Sequence, residues 1–370
     1  MSAGIYIHIP FCKRKCPYCD FYSVVADDSM RRNYAKALIK RITAHSNNSL
    51  LVDTIYFGGG TPSLMHPDDI ADIIRAVKDS FDVSTDCEIT LECNPSSVDF
   101  NKLCAFRSAG INRLSFGVQS SDDDELKALG RLHDFSLAQR AVLESQLAGF
   151  DNISCDLMIG TPNQTEESLI RSVRALCSLN IKHISCYMLK IEEGTAYDCD
   201  DIRSLVADDD TVSDMYLALC EELERLGFTQ YEISNFSVEG YESRHNLKYW
   251  IGKDYIGFGP AAHSYYNNRR TYAESDVHAF IADPLTDDLT EDDSPDKLQE
   301  YIMLGLRISK GISLEKINLL GGDSSAFLNA LKPFVLANYS TIDGDNVRLT
   351  REGYLRSNGI ILRLLESQIS

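Results

Sequence analysis

The sequence lacks an apolar run of about 18 residues, a low-complexity tract, and a basic segment followed by a long apolar one at its start. The first absence argues against a membrane-spanning helix, and the last argues against a secretory signal peptide. Tryptophan is also scarce, since Trp250 is its single example. The remaining composition, 44% hydrophobic and 25% charged residues, is that of a folded protein, and we expect a cytoplasmic location.

Positive charge is in short supply. The chain has 36 Lys and Arg residues against 55 Asp and Glu residues, which gives a formal net charge of −19. Such a charge repels phosphate backbones, so nucleic acid is not an expected partner. Whether the chain forms a homodimer, or touches a membrane surface through a local patch, stays open.

Disulfide bonds are not expected, because the eleven cysteines are odd in number and no export signal precedes them. Eight cysteines lie scattered in apolar segments, where a free cysteine behaves as a small hydrophobic residue. They are Cys87, Cys93, Cys104, Cys155, Cys177, Cys186, Cys199 and Cys220. The other three fall within eight residues, at Cys12, Cys16 and Cys19, and need a different explanation.

Short β-branched segments alternate with longer amphipathic stretches over the first half of the chain. This order predicts β/α units around a parallel sheet. The predicted strands cover residues 5–9, 54–57, 88–92, 113–118, 153–159 and 183–189. The fold class is therefore α/β, with a partial or complete (β/α) barrel of six units, and an open doubly wound sheet is the alternative.

Three regions are predicted along the chain. The barrel covers residues 1–200, and residues 201–290 form a looser connection rich in glycine and aromatic residues. An acidic run at 287–296 marks the next boundary, because its like charges repel and it offers nothing to bury. Residues 291–370 combine helices with an Asp-Gly hairpin, which predicts a small winged-helix-like α+β domain with a structural or docking role.

The strongest chemical signal is Cys12-x3-Cys16-x2-Cys19, placed directly after the first strand. The carboxyl ends of barrel strands are where active sites lie. Three thiolates on one short loop can bind three irons of a [4Fe–4S] cluster and leave the fourth iron open. A zinc site is the alternative, and it would need a fourth ligand nearby.

Polar or glycine residues also follow the later predicted strands. They are the glycines at 58–60 with Thr61, then Glu92, Gln119 and Asp156. Because the carboxyl ends of neighbouring strands line one face of a barrel, we expect these residues to converge on one site. Glycines let the backbone approach a ligand closely, and Glu92 can accept hydrogen bonds from ribose hydroxyls.

The segments CKRKCPYC, FGGGTP, LECNP and SFGVQS together resemble the radical S-adenosylmethionine (SAM) superfamily, and within it the group around oxygen-independent coproporphyrinogen III oxidase. The resemblance covers nearly the whole chain. It implies that the open iron binds the amino and carboxylate groups of SAM, and that an electron from a reductant protein, passed through the cluster, cleaves SAM to a radical. It assigns SAM contacts to Tyr6, Gly59 and Glu92, and contacts to a second SAM to Tyr18, Gly60, Thr61, Gln119, Arg131 and Asp156.

Two departures separate the chain from the oxidase itself. The oxidase has a further cysteine where this chain has Phe21, and it has an N-terminal extension before the first strand. These features, with an HNxxYW motif at residues 245–250, match the haem-chaperone branch of the group, HemW. That resemblance implies a protein that binds haem and delivers it to an acceptor haemoprotein. Radical decarboxylation of coproporphyrinogen III is the alternative, so whether the chain is an enzyme stays open.

The HNxxYW motif itself suggests a haem contact. Imidazole is a common axial ligand of haem iron, so His245 is the candidate ligand. Tyr249 and Trp250 offer flat apolar surface, and Arg244 and Lys248 could meet the propionates. A structural role for a histidine in a polar loop beside an aromatic pair stays open.

Two other histidines have expected roles at or near the site. His263, in GPAAHSY, is the rival haem ligand. His8 lies between isoleucines of the first predicted strand, and we expect it to pack or to line the site.

Overall fold

A computed structural model describes residues 2–286, 289–292 and 296–369. Its centre is a run of six parallel strands: β1 (Ser2–Ile9), β2 (Asn47–Gly59), β3 (Phe81–Cys93), β4 (Arg113–Gln119), β5 (Asn152–Ile159) and β6 (His183–Met188). The strands follow one another in chain order across the sheet. A doubly wound sheet reverses its order at a switch point, so that alternative is excluded.

Helices on the outside connect these strands. They are α1 (Asp28–Ala44), α2 (Pro67–Ser80), α3 (Phe100–Ala109), α4 (Asp123–Ala128), α5 (Phe135–Leu147) and α6 (Glu166–Cys177), with single 3-10 turns at Pro62–Leu64 and Pro95–Ser97. Side-chain oxygens cap the start of α1, α3, α5 and α6, from Asp27, Asp99, Asp134 and Thr165. No helix in the described part of the chain is long and apolar enough to span a membrane.

The six strands alternate between apolar and polar side chains. Successive residues of a strand point to opposite faces, so one set packs against the helices and the other faces the barrel interior. The outward set is apolar and fully buried, as with Ile7, Phe57 and Phe116. The inward set is polar: Tyr6, His8, Thr54, Tyr56, Thr90, Glu92, Arg113, Ser115, Ser154, Asp156, His183 and Ser185.

Within residues 201–290, the described residues are more regular than the looser connection that the sequence predicts. They form α7 (Asp200–Arg203), α8 (Asp209–Arg225), β7 (Thr229–Gln230), β8 (Asn235–Ser237), α9 (Arg244–Trp250), β9 (Tyr255–Phe258), β10 (His263–Tyr266), β11 (Arg269–Ala273) and α10 (Val277–Ala282). Strand β8 pairs antiparallel with β6, and β9 pairs parallel with β1. In the described residues β6 does not pair with β1, so the barrel is partial and its sheet is extended at both edges.

The acidic run at 287–296 lies partly outside the described residues. Its described part forms β12 (Leu289–Asp292), which pairs antiparallel with β11. The backbone of an acidic segment can therefore extend a sheet edge, since edge strands commonly carry charged side chains. The boundaries at residues 200 and 290 stay predictions.

The C-terminal part has its own core. Its elements are α11 (Lys297–Gly305), β13 (Ile312–Ser313), α12 (Leu314–Leu319), α13 (Ser324–Leu336), β14 (Ser340–Asp343), β15 (Asn346–Leu349), α14 (Arg351–Leu355) and α15 (Ser357–Glu366). The strands form a small antiparallel sheet in the order β13, β15, β14, and Gly344 takes a positive φ of 59° in the predicted hairpin. This confirms the winged-helix-like domain, although the last predicted helix is interrupted at Arg356.

The dispersed cysteines mostly behave as predicted. Cys87, Cys93, Cys155, Cys186 and Cys220 are buried, and Cys104 and Cys177 are partly buried. Cys199 is a correction, because it is exposed at the start of the short surface helix α7.

The outward core is expected to carry the stability of the barrel. Changing Phe116 to Ala should lower the free energy of unfolding by about 3–5 kcal/mol, since it removes a fully buried aromatic ring. Leu147 on α5 is 77% exposed, so its change to Ala should cost less than about 0.5 kcal/mol. Urea unfolding followed by circular dichroism measures both, and equal effects would contradict this placement of the core.

Candidate functional site

The three clustered cysteines lie in the loop between β1 and α1. This loop folds back on itself: the Cys12 amide donates to the Val24 carbonyl at 3.0 Å, and the Val24 amide donates to the Pro10 carbonyl at 2.7 Å. A further bond, 3.1 Å from the Cys19 amide to the Cys16 carbonyl, tightens the turn between those two residues. All three thiols are partly exposed and line one cavity.

Basic side chains fasten the same loop to its neighbours. The Lys13 ammonium donates to the Ser96 carbonyl at 2.6 Å, after β3. The Arg14 guanidinium donates to the Gly130 carbonyl, after β4. The cysteine loop is therefore held against the carboxyl ends of two other strands.

An iron–sulfur cluster and a zinc ion are the two metal sites predicted for the cysteine loop. Among the residues that the structure describes, no three His, Cys, Asp or Glu side chains are grouped closely enough to hold one metal ion. A tetrahedral zinc site needs such a group, so the zinc alternative gains no support. A [4Fe–4S] cube takes each thiolate at a different iron, and three thiols that line one cavity from separate points of a loop fit that arrangement.

One cavity of about 610 Å³ opens at the carboxyl ends of the strands and extends into the barrel. It brings together most of the residues that the sequence proposed for the site. These are Cys12, Cys16, Cys19, Tyr18, Gly59, Gly60, Thr61, Glu92, Gln119, Arg131 and Asp156. The convergence of the strand ends on one site is therefore present in the structure, while the ligand roles of these residues stay predictions.

Three predicted residues lie outside the cavity lining, namely Gly58, Tyr6 and His245. Tyr6 is behind it, with its ring stacked on Tyr56 at a centroid distance of 6.3 Å and its hydroxyl 3.0 Å from His8 Nδ1. His245 is also behind the lining, although its neighbour Asn246 reaches the cavity.

Two glycines at the end of β2 allow its backbone to lie close to β1 and to the start of the cysteine loop. Gly59 has φ +107°, and a Cβ there would lie within 2.4 Å of the His8 imidazole. At Gly60 a Cβ would lie 2.8 Å from the Phe11 carbonyl oxygen. The turn also places the Thr61 hydroxyl 3.5 Å from the Cys12 thiol. A side chain at Gly59 would therefore clash with His8 of β1, and one at Gly60 would clash with the start of the cysteine loop.

Arg131 links the cysteine loop to β4. Its Nη1 lies 3.6 Å from the Cys16 sulfur and 3.4 Å from the Tyr18 hydroxyl, and its Nη2 donates to the Gly117 carbonyl at 2.5 Å. Gln119 follows at a register shift between β4 and β5 and has φ +77°, which is costly for a residue other than glycine. The carboxyl end of β4 is therefore bent toward the cavity.

Burial dominates the electrostatics at the base of the cavity. It raises the pKa of Glu92 to about 7 and also raises the pKa of Asp156, with Arg113 opposing both shifts. Arg113 is 1% exposed, and its Nε has no hydrogen-bond partner in the described structure. Two carboxyl groups and one guanidinium therefore share the base of the cavity.

Sequence reasoning missed several residues of the cavity: Tyr56, Arg113, Ser115, Ser185, Tyr187 and Asn246. Most of these residues lie within the strands, before the strand ends at which the sequence predicted the site. Their signal was the polar half of the strand alternation, because a polar residue between apolar ones faces the interior of a partial barrel.

The HNxxYW motif forms helix α9 and not a polar loop. His245 is completely buried. Its Nδ1 is 2.8 Å from the Thr54 hydroxyl, and its Nε2 is 2.8 Å from the Tyr249 hydroxyl. Burial lowers the pKa of His245 to about 3, so the ring is neutral at neutral pH. Both ring nitrogens are already engaged.

The two basic residues of the motif are paired with acids. The Lys248 ammonium lies 2.7 Å from Asp53 Oδ1 and is almost fully buried, and Arg244 Nη1 lies 3.4 Å from Asp86 Oδ2. His263 differs from His245, since it is exposed on β10 with its ring stacked on Tyr272.

Comparisons with known proteins agree with this geometry. Residues 6–176 match the model of the radical SAM superfamily, and residues 292–356 match that of the HemN C-terminal domain. The fold superimposes on coproporphyrinogen III oxidase HemN from Escherichia coli, a radical SAM enzyme, with a TM-score of 0.86 and 19% identity over 98% of this chain and 90% of that one.

Curated relatives are similar over nearly their whole length. The heme chaperone HemW of Bacillus subtilis is 34% identical, and the alignment covers 96% of this chain and 97% of that protein. HemW of Escherichia coli is 32% identical over 97% of both. The chain belongs to the HemW family of the radical SAM superfamily.

Proposed function

We propose that this chain binds a [4Fe–4S] cluster, SAM and haem, and that it passes the haem to an acceptor haemoprotein. One observation carries the proposal: the cysteine loop and the strand-end residues converge on one cavity in a chain whose full-length relatives are named heme chaperones. Cys12, Cys16 and Cys19 would hold the cluster, which supplies an iron that the protein does not ligate and a route for one electron.

The chain's own residues suit a cationic ligand such as SAM, which carries a positively charged sulfonium group. Glu92 accepts from the Gly59 amide at 3.2 Å, and this places its carboxylate beside the backbone turn. Asp156 adds a second acidic group on β5. Arg131 holds the cysteine loop against β4, so that the cavity keeps its shape.

Haem would meet the mouth of the cavity. Phe21 is 69% exposed there, and Tyr187 and Met188 are also exposed on the cavity lining. Arg14 and Lys15 lie on the same lining and are exposed cations in an acidic protein. Apolar groups next to cations suit a flat apolar macrocycle that carries two propionates.

His263 is the exposed candidate for the haem iron, although it is not part of the cavity lining. His245 could ligate iron only after one of its ring nitrogens lost its bond to Thr54 or Tyr249. Its role as the ligand therefore stays a prediction that this conformation does not favour. His263 is exposed, and partial burial lowers its pKa, which favours the neutral form that binds metals.

Phe21 favours the chaperone over the oxidase, because it stands at the cavity where the oxidase has a further cysteine. A reductant protein that supplies the cluster with an electron belongs to the same proposal. A homodimer, a peripheral membrane contact and a cytoplasmic location stay hypotheses.

The cluster assignment predicts the result of a triple substitution. Changing Cys12, Cys16 and Cys19 to Ala should abolish iron and sulfide binding after anaerobic reconstitution, because no thiolate would remain at the loop. The matched control changes Cys104, Cys177 and Cys199, which are likewise not fully buried, and should keep the full content. A cluster retained by the first variant would contradict the assignment.

The Glu92 assignment predicts a pH dependence. Its raised pKa of about 7 means that the carboxyl group is protonated below pH 7 and ionised above it. The affinity for the cationic SAM should therefore rise about tenfold between pH 6 and pH 8, as the ionised fraction grows. Anaerobic calorimetry with the reconstituted protein measures this change.

Glu92→Gln should bind SAM weakly and with little pH dependence. Glu125→Gln is the control, since it removes a buried carboxylate outside the cavity that is hydrogen-bonded to Ser120 and Gln164. Wild-type affinity in Glu92→Gln would remove Glu92 from the site. A weakened but still pH-dependent affinity would assign the titration to Asp156.

The functional proposal predicts haem binding without porphyrin decarboxylation. The wild-type protein should show a Soret band with added haem and should not convert coproporphyrinogen III when SAM and a reductant are supplied. His263→Ala should shift this band or lower the occupancy, because loss of an axial imidazole changes the ligand field of the iron. Sustained decarboxylation over many turnovers would overturn the chaperone proposal in favour of the oxidase.

A further inference from the structure

The HNxxYW helix closes the end of the barrel opposite the cysteine loop. The backbone amides of the first two residues of α9 donate to the Glu88 carboxylate of β3 at 3.2 and 3.1 Å. The pair between Lys248 and Asp53 fixes the same helix to β2. Asn246 then faces the cavity from below. The motif therefore forms the floor of the cavity whose mouth holds the cysteines.

His245 enters the barrel from this floor and packs on Tyr56. The two rings are stacked at a centroid distance of 5.1 Å and an angle of 24°. Gly4 of β1 makes room for the imidazole, since a Cβ there would lie 3.0 Å from two of its ring atoms. The Thr54 and Tyr249 hydroxyls fix the orientation of the ring.

Tyr56 in turn holds Glu92. Its hydroxyl donates to Glu92 Oε1 at 2.8 Å, while Oε2 accepts from the Gly59 amide. Burial raises the pKa of Tyr56, so its hydroxyl stays protonated and remains a donor. Gly58 leaves the space for this contact, because a Cβ there would lie 2.9 Å from the Tyr56 ring and 3.2 Å from Glu92 Oε1. A continuous set of contacts thus runs from the motif to the carboxylate.

We propose that His245 is a positioning residue for SAM, and that it acts through Tyr56 to hold the Glu92 carboxylate in the orientation that receives the ligand. The HNxxYW motif then serves the SAM cavity and does not ligate haem. This inference rests on the proposed function, since it takes SAM as the ligand of the cavity.

Several charged or titratable groups face Glu92. Asp156 comes from β5 and Arg113 from β4, while Tyr6, Tyr56 and Tyr249 approach from β1, β2 and α9. Burial raises the pKa values of the three tyrosines, so they stay neutral between pH 6 and 9. A hydrogen bond to a carboxylate favours its ionised form, so loss of the Tyr56 hydroxyl should raise the pKa of Glu92.

The test is anaerobic calorimetry with SAM on the cluster-loaded protein at pH 7 and pH 8.5. Tyr56→Phe should weaken SAM binding about fivefold at pH 7 and less than about twofold at pH 8.5, because higher pH restores the ionised carboxylate. His245→Ala should weaken binding about fivefold, and His245→Asn, which can still meet the Thr54 hydroxyl, should stay within about twofold of wild type.

Tyr216→Phe is the matched control. It also removes a buried tyrosine hydroxyl, which here donates to the Ile233 carbonyl and accepts from the Gln230 side-chain amide. Tyr216 lies on α8, away from the cavity. Its SAM affinity should equal that of wild type at both pH values. Iron content and haem absorption are recorded for every variant, and His245→Ala should keep its Soret band.

The outcomes separate this inference from the function it rests on. A cluster-loaded wild type that binds no SAM would overturn the proposed function. Wild-type SAM binding with unchanged affinity in both His245→Ala and Tyr56→Phe would overturn the positioning role alone. A lost Soret band in His245→Ala with intact SAM binding would return His245 to the haem iron. If His245→Ala does not fold, the test rests on whether Tyr56→Phe loses SAM affinity at pH 7 and regains it at pH 8.5.

Discussion

The main constraint on the barrel is a set of charged groups in its interior. These groups are Arg113 and the two carboxyl groups near it, Glu92 and Asp156. Charges in a low-dielectric interior are costly unless they are paired and hydrogen-bonded. Most (β/α) barrels avoid this cost by filling the interior with layers of branched apolar side chains. Here most apolar residues of the six strands face the helices, so the interior is largely polar and a cavity of about 610 Å³ persists inside it.

The polar groups of the interior have different surroundings at the two ends of the barrel. At the amino ends of the strands, neutral histidines pair with hydroxyl groups: His245 with Thr54 and Tyr249, and His183 with Ser154 and Tyr231 at 2.7 Å each. These pairs satisfy buried polar groups without adding charge. At the carboxyl ends, glycine turns and the cysteine loop leave the lining side chains accessible from the cavity. The chain therefore builds a closed floor and an open mouth.

The sequence was informative where one residue type has one physical use. Alternation and cysteine spacing predicted six strands and the cysteine loop, and parallel order predicted that Glu92, Gln119 and Asp156 would converge. It was uninformative where the exposure of a residue depends on neighbours that lie far along the chain. Whether His245 is exposed depends on the gap at Gly4, more than 200 residues earlier, and nothing in the local sequence predicts that gap. The sheet edges made by residues 229–292 were missed for the same reason, because short strands gain their stability from the partner they pair with.

The distribution of charge would allow one cavity to bind two ligands of opposite charge at different depths. The acidic pair, Glu92 and Asp156, lies deep, where a low dielectric strengthens its attraction for a cation such as SAM. The exposed cations of the cysteine loop, Arg14 and Lys15, lie at the mouth, where they would attract the dianionic haem. An anion that moved deeper would meet the buried carboxyl groups and would lose solvation without gaining a partner. A haem bound at the mouth, as we propose, would stay in contact with solvent and with an acceptor protein, whereas a ligand of the interior would be shielded from both.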